Sequence, residues 1–248
     1  MIVTIKRQIN PDSDPYWQSF RYSGTMDATV ASVLDALNYT DDLYDINGNP
    51  APRIRWECSC MQNVCGGCAM IINGKPALAC NTTISNLVGE SLRLEPLSKF
   101  PVVADLIVNR SIIEENLRRS AMYQGQLDLS DNNEYDHQYS VAKCMKCGLC
   151  LEVCPNYDKG QYFYGALFAN NAYLLHSQSL DRKAQLKSAY DQHFASGCSK
   201  SLSCQKICPA GISTLSSMLK MNAVKRPRAA DIHPLNSASG SCPEEPVR

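Results

Sequence analysis

The spacing of cysteines in three short segments constrains this chain more than any other feature of its sequence. The first segment reads C-x₄-C-x₂-C-x₁₁-C and begins at Cys60. The second reads C-x₂-C-x₂-C-x₃-C-P and begins at Cys144. The third begins at Cys198 and repeats the second, except that Ser201 stands where the second has Cys147. The sequence shows no export signal, so we expect reduced thiols that ligate metal and no disulfide framework.

The first segment matches the plant-type [2Fe–2S] loop, in which three ligands surround the cluster and a fourth arrives from a distant position. Its cysteines are Cys60, Cys65, Cys68 and Cys80. Gly66 and Gly67, between two of these cysteines, let the backbone approach closely and direct N–H groups at sulfur. A structural zinc site is the alternative. Zinc ribbons usually pair two C-x₂₋₄-C knuckles, however, whereas one loop here holds three cysteines.

The second and third segments match the bacterial ferredoxin signature, in which the fourth cysteine of each segment ligates the other cluster. This rule assigns a [4Fe–4S] cluster to Cys144, Cys147, Cys150 and Cys208. It assigns Cys154, Cys198 and Cys204 to the neighbouring cluster. Because serine is a poor ligand for a soft metal, Ser201 predicts a [3Fe–4S] cluster there, which lacks one iron corner. The alternative is a [4Fe–4S] cluster with a serine alkoxide or water on its last iron.

Two of the 13 cysteines, Cys58 and Cys242, lie outside this scheme. Cys58 lies two residues before Cys60 and could replace it as a ligand, but the spacing favours Cys60. We expect Cys58 to be an inert buried thiol. The sequence assigns no role to Cys242.

The remaining pattern predicts an α+β chain with domains at residues 1–101 and 102–226 and a disordered tail at 227–248. Asn73 and Gly74 separate two apolar runs and predict a type I′ hairpin turn. Strands are expected at residues 1–9, 16–22, 53–57 and 92–96, on either side of a helix at 29–43. Helices are expected near residues 102–119, 161–175, 180–195 and 212–224, with a polar stretch at 125–139.

Composition and motifs narrow the function further. Lys plus Arg and Asp plus Glu each number 24, so no net charge attracts nucleic acid. The sequence has no G-x-G-x-x-G, G-x-S-x-G or P-loop motif, so we expect no catalytic site in this chain itself. Clusters of three types without a substrate motif predict a one-electron relay. A cysteine-rich zinc scaffold that joins other proteins is the alternative from another functional class.

Together, C-x₄-CGGC-x₁₁-C, C-x₂-C-x₂-C-x₃-CP and C-x₅-C-x₃-CP resemble the iron–sulfur subunit of succinate dehydrogenase and fumarate reductase, across roughly residues 1–225. The resemblance implies a β-grasp plant-ferredoxin domain followed by an all-α bacterial-ferredoxin-like domain. It also implies that electrons pass through [2Fe–2S], [4Fe–4S] and [3Fe–4S] clusters. These would connect an FAD-containing catalytic subunit to a quinone site at a membrane anchor subunit, with or without haem. The chain would then lie at the cytoplasmic face of the membrane, bound to that anchor.

The chain departs from the family pattern beside the last cluster. Many members have aromatic residues after the Cys-Pro and a histidine after the next cysteine. Here Asn156 and Tyr157 follow Pro155, and Ser199 follows Cys198. Tyr157 and Lys220 are therefore our candidates for polar contacts in a quinone pocket. A fumarate reductase or related flavoprotein complex that uses a thiol or another non-quinone donor is the alternative.

Overall fold

The computed structural model describes residues 1–87, 89, 91–128, 133–228 and 231. Cys242 and the greater part of the predicted tail lie outside the described residues. The strands are β1 (Ile2–Arg7), β2 (Tyr16–Arg21), β3 (Leu43–Tyr44), β4 (Pro50–Ala51), β5 (Ala69–Ile72), β6 (Lys75–Leu78), β7 (Ser91–Glu95), β8 (Val102–Ala104) and β9 (Ile107–Val108). The α-helices are α1 (Val30–Asn38), α2 (Ser111–Arg119), α3 (Tyr135–Ala142), α4 (Leu149–Glu152), α5 (Gly165–Gln178), α6 (Lys183–Tyr190), α7 (Ser203–Lys206) and α8 (Thr214–Ala223).

The N-terminal half is built on a five-stranded mixed sheet with the strand order β2-β1-β7-β5-β6. β1 and β7 run parallel, whereas the other neighbouring pairs are antiparallel. β1 alternates between faces and buries Val3, Ile5 and Arg7. α1 buries Val33 and Leu34 in the same core, and the side chain of Thr29 caps its N-terminus. This mixed sheet with one main helix confirms the predicted α+β architecture of the N-terminal half.

The hairpin between β5 and β6 brings the fourth cysteine of the first segment to the other three. Asn73 and Gly74 have φ angles of 47° and 77°, as a type I′ turn requires. The Asn73 side chain also accepts a hydrogen bond from the backbone N–H of Arg93 at 2.7 Å, which ties the turn to β7. Cys80 lies in a short 3₁₀ turn directly after β6, and its N–H faces the sulfur of Cys68 at 3.5 Å. The predicted turn is confirmed.

Two of the predicted N-terminal elements differ from the structure: the helix is confirmed but ends earlier, and the strand does not form because side chains take its backbone hydrogen bonds. The helix predicted over residues 29–43 ends at Asn38. The amide of Asn38 donates to the carbonyl oxygen of Ile54 and accepts from its N–H, both at 2.8 Å. The strand predicted over residues 53–57 does not form, since the N–H of Arg55 is bound by the carboxylate of Asp105 at 2.9 Å.

The continuous helix predicted over residues 102–119 is also wrong. β8 and β9 form a short hairpin there, and only the part from Ser111 onward is helical. Asp105 turns the chain with a φ of 47° and pairs with the buried Arg7 at 2.9 Å. It also accepts the N–H of Gln8 at 3.0 Å. These contacts attach the start of the second half to the first sheet, and the domain boundary after residue 101 stays a prediction.

The C-terminal half is helical, and α5 lies at its centre in contact with α3, α4, α6 and α8. The helix predicted at residues 212–224 is confirmed by α8, and those near 161–175 and 180–195 by α5 and α6. α6 continues directly into a π-helical turn, Asp191–Ala195. α3 covers part of the predicted polar stretch, where the sequence indicated no helix. Within the described residues, no helix is both long enough and apolar enough to cross a bilayer.

Candidate metal centres

The loop of the first segment directs backbone N–H groups at its own sulfur atoms. Cys60 accepts hydrogen bonds from the N–H groups of Gln62 and Val64 at 3.3 and 3.4 Å. These bonds lower the pKa of the Cys60 thiol to about 7, because they stabilise the thiolate. The N–H of Gly67 reaches the sulfur of Cys65 at 3.4 Å, as the glycine pair predicted.

Of the remaining cysteines of this segment, Cys68 is buried and Cys80 is half-buried. Burial raises the pKa of Cys68 to about 12, and the neighbouring thiol of Cys80 contributes to the increase. The pKa of the Cys58 thiol is raised by burial, then by the negative charge of Asp35, and least by repulsion from Cys65. Cys58 is exposed, however, so the expectation of a buried thiol is wrong. We refer to Cys60, Cys65, Cys68 and Cys80 as the first set.

A second set of thiols, from two distant parts of the chain, lies in the interior of the C-terminal half. It consists of Cys144, Cys147, Cys150 and Cys208. Burial raises the pKa of Cys147 to about 11, and repulsion from Cys144 and Cys208 adds to the effect. The pKa of Cys150 lies well above its usual value for the same reasons. All four residues line one cavity of ≈ 30 Å³.

The third set combines the last cysteine of the second segment with two from the third segment. It consists of Cys154, Cys198 and Cys204. Burial raises the pKa of Cys204, and so does repulsion from Cys154 and Cys198. The sulfur of Cys198 accepts a hydrogen bond from the N–H of Lys200 at 3.4 Å. Cys154 therefore lies with residues about fifty positions away in the sequence, as the ferredoxin rule predicts.

Ser201 occupies the same backbone position in its segment as Cys147 does in the other. Cys147 lies between two residues of positive φ, Lys146 at 50° and Gly148 at 86°. The residues on either side of Ser201, Lys200 and Leu202, have φ angles of 59° and 57°. A one-turn helix follows in each case, α4 in one segment and α7 in the other. The repeat is thus preserved in the backbone while the thiol is replaced by a hydroxyl.

The three sets follow one another in space. A Cβ atom on Gly66, within the first loop, would lie only 2.7 Å from the Cβ of Cys147 in the second set. The second set adjoins the third, because Cys204 contributes to the repulsion that raises the pKa of Cys150 and lines the same cavity. The second set therefore neighbours both the loop of the first set and Cys204 of the third.

Three charged residues near these sets were not singled out from the sequence. Arg110 donates hydrogen bonds to carbonyl oxygens in both the first and the second cysteine loop. Glu152 accepts the N–H of Lys99 at 3.1 Å, and the ammonium group of Lys99 donates to the carbonyl oxygen of Cys154. No spacing rule connects Arg110 or Lys99 with the cysteines. Glu152 alone could have been noticed in the sequence, because it is an acidic residue among the apolar residues of the second cysteine segment.

The two candidate quinone-pocket residues contact different parts of the molecule. Tyr157 is 3% exposed and packs against Phe100, with ring centroids 6.2 Å apart. Burial raises the pKa of the Tyr157 hydroxyl to about 12. Lys220 forms an ion pair with Glu134 at 2.6 Å on the other side of α5. The structure does not bring Tyr157 and Lys220 together.

The donor atoms of the three sets fit iron–sulfur clusters. They are all cysteine sulfurs, which suit iron–sulfur chemistry, and several already accept backbone N–H groups of the kind that tune cluster potentials. The second set also lines an internal cavity, together with Cys204 of the third set. Within the described residues, no three His, Cys, Asp or Glu side chains converge closely enough to hold a single metal ion.

Comparison with known proteins gives independent matches to both halves. Residues 2–115 match the family model of a 2Fe-2S iron-sulfur cluster binding domain, and residues 140–212 match that of a 4Fe-4S dicluster domain. The succinate dehydrogenase iron-sulfur subunit of Bacillus subtilis is 30% identical over 229 residues, which cover 88% of this chain and 89% of the relative. The fumarate reductase iron-sulfur subunit of Escherichia coli O6:H1 is 29% identical over 212 residues, which cover 81% of this chain and 83% of the relative.

A solved structure has the same fold. A chain of the Sdh1 complex of Mycobacterium smegmatis, in the apo form, superimposes with a TM-score of 0.69 at 21% identity. The superposition covers 89% of this chain and 93% of that chain. The order of a ferredoxin-like sheet domain and a helical domain is therefore shared along almost the whole length.

Proposed function

This chain belongs to the family of succinate dehydrogenase and fumarate reductase iron–sulfur subunits, and we propose that it relays electrons between an FAD subunit and a membrane quinone site. It is an electron-transfer protein with a [2Fe–2S] domain and a [4Fe–4S] dicluster domain. The observation that carries the proposal is the order of the three thiol sets: the loop of the first packs against Cys147 of the second, and Cys204 of the third lines the cavity of the second. A relay needs such an unbroken series of neighbouring centres.

We assign one cluster to each set. The first set holds the [2Fe–2S] cluster, the second holds the [4Fe–4S] cluster, and the third holds a [3Fe–4S] cluster. Ser201 supports the last assignment, because its hydroxyl is far harder to deprotonate than a thiol at the position equivalent to Cys147. When bound, these clusters supply one-electron redox chemistry, which fits between a two-electron flavin and a quinone.

The residues of the chain hold each centre and adjust its environment. Cysteine ligates metal as thiolate, and the N–H groups directed at Cys60 favour that form. Burial of Cys150 and Cys147 excludes water from the second set. Because the third set has one thiolate fewer, it carries less negative charge, which favours a higher reduction potential. A higher potential suits the end of the relay next to the quinone.

The partners follow from the family. We place an FAD-containing catalytic subunit beside the first set and a membrane anchor subunit, with its quinone, beside the third. The anchor would keep this chain at the cytoplasmic face of the membrane. Tyr157 and Lys220 stay candidates for polar quinone contacts, although each contacts a different part of the fold. The relatives, iron-sulfur subunits of succinate dehydrogenase and fumarate reductase, do not favour the alternative of a thiol donor.

The ligand assignment is tested by comparing two cysteines only four residues apart. In the purified holo-complex, Cys154→Ser should abolish the EPR signal of the third cluster and leave that of the second. Cys150→Ser should do the reverse, and Cys58→Ser should leave all three signals unchanged. If Cys154→Ser removed the second cluster's signal and spared the third, the assignment would be wrong.

A further inference from the structure

Arg110 connects the two cysteine loops of the first and second sets. One nitrogen, Nη1, donates to the carbonyl oxygen of Gly66 at 2.9 Å and to that of Cys147 at 3.2 Å. The other nitrogen, Nη2, pairs with the carboxylate of Glu57 at 2.5 Å. The Arg110 side chain is 19% exposed and Glu57 is 43% exposed, so the two bonds to carbonyl oxygens are partly desolvated while the ion pair faces solvent. Hydrogen bonds from a charged donor are stronger in a partly desolvated environment than in water.

The loops joined by Arg110 are in direct contact. A Cβ on Gly66 would lie 2.7 Å from the Cβ of Cys147 and 3.0 Å from the carbonyl oxygen of Met145. Gly66 also has a φ of 76°, which only glycine adopts at low cost. Two carbonyl dipoles, of Gly66 and Cys147, therefore converge on one nitrogen at the point of closest approach. The cation offsets the repulsion between these dipoles.

We propose that Arg110 is a positioning residue that holds these two loops together and thereby sets the rate of electron exchange between the first and second centres. This inference rests on the proposed function. With both clusters bound, each exchange would move one electron from the first centre to the second, with no proton or covalent bond transferred. Electron tunnelling slows steeply with distance, so a small separation of the loops reduces the rate.

Arg110 has a second effect, through its charge. Its positive charge lies beside the second set, since Nη1 is 3.2 Å from the carbonyl oxygen of Cys147. The same charge favours the reduced, more negative state of a neighbouring cluster. Positioning and charge can be separated, because lysine keeps the charge but lacks the planar fork that reaches both carbonyls and Glu57.

The experiment compares Arg110→Met and Arg110→Lys in the purified holo-complex. Arg118→Met is the matched control, since Arg118 lies on the helix that Arg110 precedes and pairs with Glu115 at the surface. Three readouts are needed: iron and sulfide content, the EPR magnetic coupling between the first and second clusters when both are reduced, and the rate of electron equilibration between them.

Arg110→Met should retain its clusters, weaken the magnetic coupling and slow equilibration on the order of tenfold, as small displacements of reacting centres do. It should also lower the potentials of both clusters. Arg110→Lys should restore the potentials but not the coupling, and Arg118→Met should match the wild type. Wild-type coupling and equilibration in Arg110→Met would overturn the proposal.

A second variant decides the matter if Arg110→Met fails to assemble. Glu57→Gln keeps Arg110 and every cysteine but weakens the bond that orients the guanidinium. It should assemble and show weaker coupling than the wild type; unchanged coupling would overturn the proposal. The proposed function fails separately, if the wild-type complex itself lacks the first or second cluster.

Discussion

The ammonium group of Lys99 donates a hydrogen bond to the carbonyl oxygen of Cys154. This bond connects the end of the N-terminal sheet domain to a cysteine of the third set. Glu152 orients Lys99 by accepting its backbone N–H at 3.1 Å and that of Ser98 at 3.0 Å. A positive charge is thereby fixed beside a centre for which we propose a high reduction potential.

Replacing Lys99 should lower the potential of the third cluster. Loss of a nearby positive charge destabilises the reduced state, and we expect Lys99→Met to lower the midpoint by about 60 mV, roughly 1.4 kcal/mol for one electron. Lys99→Arg should stay close to the wild type. An EPR-monitored redox titration measures both, with Lys75→Met, at the exposed end of the hairpin, as the control. A midpoint in Lys99→Met within error of the control would show that this charge does not tune the cluster.

Ser201→Cys should convert the third cluster toward [4Fe–4S]. The backbone around Ser201 already matches that around Cys147, so a thiol at this position can supply the missing ligand. The potential should fall, since a further thiolate adds negative charge. EPR should show the loss of the signal from the oxidised third cluster. Ser199→Cys, at a position of the repeat that carries no ligand, should keep that signal. A wild-type spectrum in Ser201→Cys would refute this reading of the serine.

Asp105→Asn should destabilise the N-terminal domain strongly. Arg7 and Asp105 are 2% and 4% exposed, so removing one charge leaves the other buried without compensation. Such changes cost about 3–5 kcal/mol. Guanidinium unfolding followed by far-UV circular dichroism should show the loss. Glu95→Gln is the control because its partner, Arg93, is 56% exposed, and this change should cost less than about 1 kcal/mol. Equal midpoints for both variants would contradict the prediction.

The cysteine spacing predicted the grouping of the thiols because ligand geometry is encoded in short, regular intervals. Cys154 lies with Cys198 and Cys204, as the crossing rule expects, and Asn73-Gly74 forms the turn that its composition predicts. These features depend on local chemistry or on a strict repeat. Features of both kinds can be predicted from the sequence alone.

The failed predictions share a different cause. The strand around Arg55 does not form, and a hairpin replaces the helix predicted from residue 102; in both places Asp105 binds groups distant in sequence. The same holds for Arg110 and Lys99, whose partners lie 37 to 55 residues away. No local pattern indicates which backbone group a remote carboxylate or guanidinium will bind. The residues that join the two halves were therefore found only in the folded chain.

The most direct test is an EPR-monitored redox titration of the purified wild-type complex. Three clusters of different type are predicted, and the third should give a signal when oxidised that disappears on one-electron reduction. The first and second should give signals only when reduced. A third cluster that is silent when oxidised and becomes visible only on reduction would contradict the [3Fe–4S] assignment. A colourless protein with stoichiometric zinc would contradict the relay as a whole.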